Sequence, residues 1–194
     1  MVNEHFVFYR NKLFDVLSGV DSALENIADH LVDHIMRGKT IFVCGNGGSA
    51  AITEHMSCDF MKGINMDTKF KPKIVSLSAN SSIITAVSND IGYEESFAYQ
   101  LEMMGDKGDM LIAVSSSGNS PNIISVLKKA KKIGIYRVSF TGFGGGEAKK
   151  LSNMNVHIPS DNYGIIEDAH QACMHMIAQH IRIENARKNS ELKL

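Results

Sequence analysis

Apolar residues in the first part of the chain recur at steps of three and four. Leu13, Leu17, Val20, Leu24, Ile27, Leu31 and Ile35 fall on one helical stripe, and the spacing predicts one long helix over 3–37. Gly38 follows the last apolar position and suits the left-handed residue that stops a helix. From residue 40 the pattern changes. Short apolar runs at Ile41–Cys44, Ile74–Leu77, Met110–Val114, Tyr136–Phe140 and Val156–Ile158 alternate with helical stretches near 50–63, 80–90, 93–104, 120–133 and 146–151. A last long helix spans about Asn162–Arg187, and the tail KNSELKL reads as frayed. Strands joined by helices pair in parallel through right-handed crossovers. The predicted fold is a single α/β domain over 1–194, a three-layer sandwich around a five-stranded parallel sheet, flavodoxin-like, with long helices at both ends. The first helix needs cover for its apolar face, partly from the domain and partly from another subunit, so an oligomer is expected.

The loops at the strand ends carry the chemistry. The first strand runs into Gly45-Asn46-Gly47-Gly48-Ser49 and the second into Ser78-Ala79-Asn80-Ser81-Ser82. Ser115-Ser116-Ser117-Gly118-Asn119-Ser120 comes after the third, and Thr141-Gly142-Phe143-Gly144-Gly145-Gly146 after the fourth. In a parallel sheet these loops emerge together at the carboxyl ends of the strands, where open α/β sheets bind ligands. Each leads into a helix, so backbone N–H groups and positive helix ends face the crevice. Hydroxyls and free amides bind a phosphate dianion without a lysine. A Walker loop is excluded because no lysine follows these glycines. A dinucleotide site is disfavoured because no acidic residue closes the second strand to hold a ribose.

Length and charge narrow the classes further. The chain has 194 residues, which suits one domain. Its 20 Lys and Arg against 21 Asp and Glu leave a net charge of −1, without the basic excess of a nucleic-acid groove. No stretch approaches the roughly 18 apolar residues of a membrane span, and the start, MVNEHFVFYRNKLF, lacks a secretory apolar core. The cytoplasm is the expected compartment. Cys44, Cys58 and Cys173 show no paired spacing and read as buried reduced thiols.

The segments Cys44–Ala51 and Ser115–Asn122, together with Asn89-Asp90-Ile91-Gly92-Tyr93-Glu94, Thr141–Gly145 and the long first helix, resemble the sugar-isomerase (SIS) fold. More narrowly, the chain is similar to the phosphoheptose isomerases, which interconvert sedoheptulose 7-phosphate and glycero-manno-heptose 7-phosphate for surface polysaccharide. The resemblance implies a substrate and phosphate pocket of Asn46, Gly47, Ser49, Ser115, Ser116, Ser117 and Ser120, with Asp90 at a substrate-associated position. It also implies a homotetramer with sites between subunits. Within the same fold, a non-catalytic scaffold or regulator and an isomerase of another phosphorylated ketose are the alternatives.

Ketose–aldose isomerisation moves a proton between C1 and C2 through an enediol, which needs a base at carbon and an acid–base group at the oxygens. His55 and Asp59, spaced i, i+4, share a face of the helix after the first loop. On the last helix, Glu167 and His175 stand eight apart, about 80° out of line, with His170 between them. His30, His34, His157 and His180 lack this context and read as solvated or structural. The family resembled has His, Glu, Gln and His at the four positions and can bind zinc there. Here they are His55, Asp59, Glu167 and His175, a set able to hold zinc or another divalent ion. Asp59, Glu167 and His175 are the catalytic candidates: Asp59 mainly as a ligand, Glu167 as a ligand or the carbon base, with either carboxylate open as that base, and His175 as the acid–base group.

Overall fold

The computed structural model describes residues 3–191, the side chains of 67 and 186–191 excepted. Helices α1 (Glu4–Leu17) and α2 (Asp21–Met36) precede β1 (Thr40–Gly45) and α3 (Gly48–Cys58), which runs through a π-helical turn (Asp59–Ile64) into the short α4 (Asn65–Asp67). Then come β2 (Lys73–Ser76), α5 (Ser81–Asp90), α6 (Ser96–Met104), β3 (Met110–Ser115) and α7 (Pro121–Ile133). The chain continues through β4 (Tyr136–Thr141), α8 (Gly146–Leu151), β5 (Met154–His157) and α9 (Tyr163–Glu191). All five strands are parallel, in the order β2-β1-β3-β4-β5, as the alternation of apolar runs and helices predicts.

β3 sits in the middle of this sheet and all six of its residues are buried, as a strand covered on both faces must be. One face packs on α1, α2, α3 and α9 through Leu24, Ile27, Leu31, Ile52, Met56, Ile166 and Ile177. The other packs on α6, α7 and α8 through Phe97, Leu101, Ile123, Leu127 and Ala148. Phe140 is fully buried on β4. Truncating so large a core ring to alanine costs about 3–5 kcal/mol. α7 shows how locally the helices are specified: Pro121 opens it, and Gly134 closes it in the left-handed conformation at φ 89°.

One long N-terminal helix is not what forms. α1 ends at Leu17, where the Ser18 N–H donates to the Phe14 carbonyl and its hydroxyl donates to the Asp15 carbonyl. Gly19 and Val20 turn the chain before α2 starts. Ser and Gly are both weak helix formers, and the turn lets α1 pack on α9 as α2 does. The predicted end of the last helix is also too early, since α9 runs to Glu191. Of the tail, residues 192–194 lie outside the described residues.

Strands β1 and β3 are neighbours, but the chain leaves β1 toward β2 on one side and returns to β3 on the other. This reversal of winding opens a crevice at the carboxyl ends of the two strands. The loops 45–49 and 115–120 border it.

Candidate active site

The crevice is a cavity of about 150 Å³ lined by Asn46, Ser49, Val114, Ser115, Ser116, Ser117, Ser120, Tyr163 and Glu167. Ser49 lies in the first turn of α3 and Ser120 is the residue capping α7, so two positive helix ends border the space. Among the described residues, no lysine or arginine lines it. The Ser116 hydroxyl is buried without any hydrogen-bond partner, a costly state that a ligand oxygen would relieve.

Neighbouring loops hold the lining in place. The Ser78 hydroxyl takes the Gly45 N–H and donates to the Gly45 carbonyl. Asn46 and Asn122 exchange amide hydrogen bonds of 2.9 and 2.8 Å, and Tyr93 donates to Asn46 Oδ1 at 2.8 Å. The loop after β4 braces the serines, with the Gly142 N–H donating to the Ser116 carbonyl at 2.8 Å and the Ala148 N–H to the Gly118 carbonyl at 2.9 Å. Gly118 has φ +65°, and a Cβ there would run into the Gly145 carbonyl oxygen. Two of the four loops therefore line the cavity, while the other two support them.

Beside the cavity, α3 and α9 lie against each other. The Gly48 Cα at the start of α3 faces the Glu167 carboxylate, and further along His55 faces His175. Their Nε2 atoms are 3.0 Å apart, and Asp59 Oδ2 lies 3.3 Å from the first and 3.1 Å from the second. Asp59 opens the π-helical turn, a local insertion that proteins use to re-aim functional side chains. The three donors all lie within 4.8 Å of one another. Two imidazole nitrogens and one carboxylate oxygen suit zinc. At least one imidazole lone pair points inward, because the two nitrogens cannot both hold a proton on the line between them. Among the described residues, the Glu167 carboxylate makes no hydrogen bond and stays outside this three-residue group, whereas Gln171 places its amide nitrogen 3.3 Å from His175 Nε2.

Residues 8–142 match the SIS domain family. The chain is 34% identical over 189 residues to a phosphoheptose isomerase of Helicobacter pylori (strain P12), covering 97% of this chain and 98% of the relative. The chain belongs to the phosphoheptose isomerase family of SIS-domain proteins. Another family member, from Clostridium acetobutylicum, is 36% identical over 161 residues, covering 83% of this chain and 82% of that one. The structure of a phosphoheptose isomerase from Francisella tularensis superposes with a TM-score of 0.85 at 26% identity, over 92% of this chain and 95% of that one.

Most of the family positions singled out in the sequence meet here. Asn46, Ser49, Ser115, Ser116, Ser117, Ser120 and Glu167 share the cavity, and His55, Asp59 and His175 share the cluster. Gly47, at φ 54°, shapes the turn into α3 without lining the cavity. Asp90 sits at the exposed end of α5, outside the cavity, and accepts from Asn89. Cys44 and Cys173 are buried, but Cys58 is exposed, on the outer side of α3 along a groove with Glu54 and Lys62. No helix among the described residues is long and apolar enough to cross a membrane.

Sequence reasoning missed Asn122, Tyr93, Tyr163 and Gln171. Asn122 and Tyr93 lie within the segments that carry the family resemblance, and Gln171 is four residues from both Glu167 and His175 and so on their side of the helix. His170 turns inward instead. It is fully buried, edge-on to Phe140 with ring centroids 5.9 Å apart, and neither ring nitrogen has a hydrogen-bond partner. Burial pushes its pKa down to about 4, against a smaller opposing pull from the nearby Thr141 carbonyl. Burial pushes the Tyr9 hydroxyl up to about 12, helped by its 2.8 Å hydrogen bond to Asp168 and by the charges of Asp168 and Glu167. That bond ties α1 to the start of α9, directly beside Glu167.

Proposed function

We propose that this protein interconverts sedoheptulose 7-phosphate and D-glycero-D-manno-heptose 7-phosphate, supplying activated heptose for surface polysaccharide. Glu167 carries the proposal. Its carboxylate lines the seryl cavity and its helix also bears His175 of the metal-suited cluster, so both halves of the site serve one substrate. The phosphate is held by Ser49, Ser115, Ser116, Ser117 and Ser120 and the amino-terminal ends of α3 and α7. The orphaned Ser116 hydroxyl gains its missing partner there.

The two carboxylates divide the proton transfers. A base at carbon needs a lone pair free to face the substrate, and the half-buried Glu167 carboxylate has no competing partner. We assign it the transfer between C1 and C2, a role worth about 10²–10⁴-fold in rate. Asp59 Oδ2 is engaged by both imidazoles, so Asp59 is mainly a ligand. Its other oxygen, which makes no hydrogen bond, serves the proton exchange between O1 and O2. His55, Asp59 and His175 would hold a divalent ion, zinc by its donor set. When bound there, it would supply Lewis-acid polarisation of a substrate oxygen. His175, with Nε2 committed as a ligand, has no lone pair left for acid–base work. This departs from the role its position first suggests.

A homotetramer with sites between subunits belongs to the same proposal. Phe6, Phe8 and Phe14 stand 73%, 68% and 72% exposed on α1, an unusual amount of apolar surface to leave in water unless a second copy covers it. Asp90, outside this chain's own cavity, then reaches a neighbour's substrate. A cytoplasmic location goes with the proposal, since phosphorylated sugars are made and consumed there. The test is to incubate the purified, zinc-loaded protein with sedoheptulose 7-phosphate and with unphosphorylated sedoheptulose. Aldose 7-phosphate should accumulate from the first and far less aldose from the second. Turnover of neither, with zinc or manganese supplied, would sink the isomerase reading and favour a non-catalytic SIS protein.

A further inference from the structure

We propose that Tyr163 determines substrate specificity, its hydroxyl holding the sugar chain between the phosphate and the two reacting carbons. The inference rests on reading the seryl cavity as the substrate site, and it supplies a contact for the part of the sugar that the phosphate and proton-transfer assignments leave unheld. Tyr163 is the first residue of α9 and lines that cavity together with Glu167. It stands 58% exposed, and among the described residues its hydroxyl makes no hydrogen bond. A phenol both donates and accepts, as every hydroxyl of a sugar chain does. A role in packing alone would need only the ring, which phenylalanine supplies.

The ring is held although the hydroxyl is uncommitted. Phe143 packs edge-on against it, with ring centroids 4.9 Å apart. Phe143 has φ 45° and is the one non-glycine residue with positive φ among those described. A bulky side chain in the left-handed region is an outlier that persists only where its surroundings over-determine it. Here the Phe143 N–H donates to the Ser160 carbonyl at 2.9 Å, and its side chain packs on the core. Strain of this kind collects at functional sites, and at Phe143 it sets a ring against Tyr163. The same loop braces Ser116, through the Gly142 N–H. Glu167 stands at i+4 from Tyr163 on the same side of α9, about 6 Å further along the axis. Tyr163 is therefore tied to the phosphate end of the cavity through Phe143 and lies one helical turn from the proton-transfer end.

The test titrates the purified full chain calorimetrically with sedoheptulose 7-phosphate and with inorganic phosphate, comparing wild type, Tyr163→Phe and Ser116→Ala. Tyr163→Phe keeps the ring on Phe143 and removes a hydroxyl without a partner in the protein, so its Tm should stay within about 2 °C of wild type. Its affinity for the sugar phosphate should fall about five-fold, as for the loss of one neutral hydrogen bond, while inorganic phosphate binds within about two-fold of wild type. Ser116→Ala should weaken both ligands. Unchanged sugar-phosphate affinity in Tyr163→Phe would overturn the assignment. So would equal weakening of both ligands in that variant, which would put the hydroxyl on the phosphate, or binding of neither ligand by wild type. Affinity is read separately from turnover. A wild type that binds the sugar phosphate without isomerising it therefore breaks the proposed activity and leaves this contact standing.

Discussion

Gly48 provides the sharpest handle on Glu167, because substituting it moves the carboxylate without touching the carboxylate's own chemistry. A Cβ at position 48 would lie 2.5 Å from Glu167 Oε2 and 2.8 Å from Cδ and Oε1, and these are the three nearest atoms it meets. Such distances fall roughly 1 Å short of an ordinary non-bonded contact. The backbone at Gly48 is helical, so alanine enters without strain and can add up to about 1 kcal/mol of stability through helix propensity. The Glu167 side chain, having no hydrogen bond to lose, yields to the new methyl group. A displacement of this size at a reacting group costs about 10²-fold in rate. Gly48→Ala should therefore lower kcat for sedoheptulose 7-phosphate about 100-fold while KM changes little and Tm holds or rises. Initial rates across a substrate series, with thermal unfolding of the same preparation, measure all three. A kcat within two-fold of wild type, with Tm unchanged, would refute Glu167 as the carbon base.

Three further outcomes are expected. Ser116→Ala removes a buried hydroxyl with no partner, so it should stabilise the ligand-free protein by about 1–3 kcal/mol yet raise KM for the phosphorylated sugar about ten-fold or more; thermal unfolding and steady-state kinetics read the two opposite signs. His170 stays neutral down to about pH 4 in the folded chain, whereas the unfolded chain takes up that proton below about pH 6.5. Stability present above pH 6.5 is thus lost toward pH 4, by about 3 kcal/mol from this group. In His170→Leu that part of the acid loss should vanish, and urea midpoints of the two proteins falling in parallel from pH 7.5 to 4.5 would contradict it. Gly118→Ala places a side chain at φ +65° and against the Gly145 carbonyl; it should destabilise by more than about 1 kcal/mol and lower Tm by several degrees.

Fold and site were not equally legible in the sequence. The strands and most helices are visible because period and length change together at residue 40, and the parallel order comes from strands separated by helices. The break at Ser18-Gly19 was hidden because Leu17, Val20 and Leu24 keep helical spacing across it, so the apolar stripe runs on while the backbone turns. The serines and His55, Asp59 and His175 were readable because loops after parallel strands must meet at one edge, and helical neighbours must share a face. Asn122, Tyr93 and Tyr163 were not, since each reaches the site through a tertiary contact between segments distant in sequence. Counting about 80° between Glu167 and His175 leaves them out of line on the helix, and the structure shows Gln171 occupying the step between. The inward turn of His170 is explained by its neighbours Ile166, Ala169, Cys173 and Met174, which are buried with it.

Catalysis as proposed depends on one phosphorylated ketose being held by the serines while Glu167 moves a proton between its first two carbons. The most direct measurement is proton NMR of sedoheptulose 7-phosphate converted by the zinc-loaded protein in deuterium oxide. The aldose 7-phosphate should appear carrying deuterium at C2, and Glu167→Gln should abolish both its appearance and the exchange. An aldose formed with exchange undiminished in Glu167→Gln, or a ketose that neither exchanges nor isomerises with the wild type, would contradict that role.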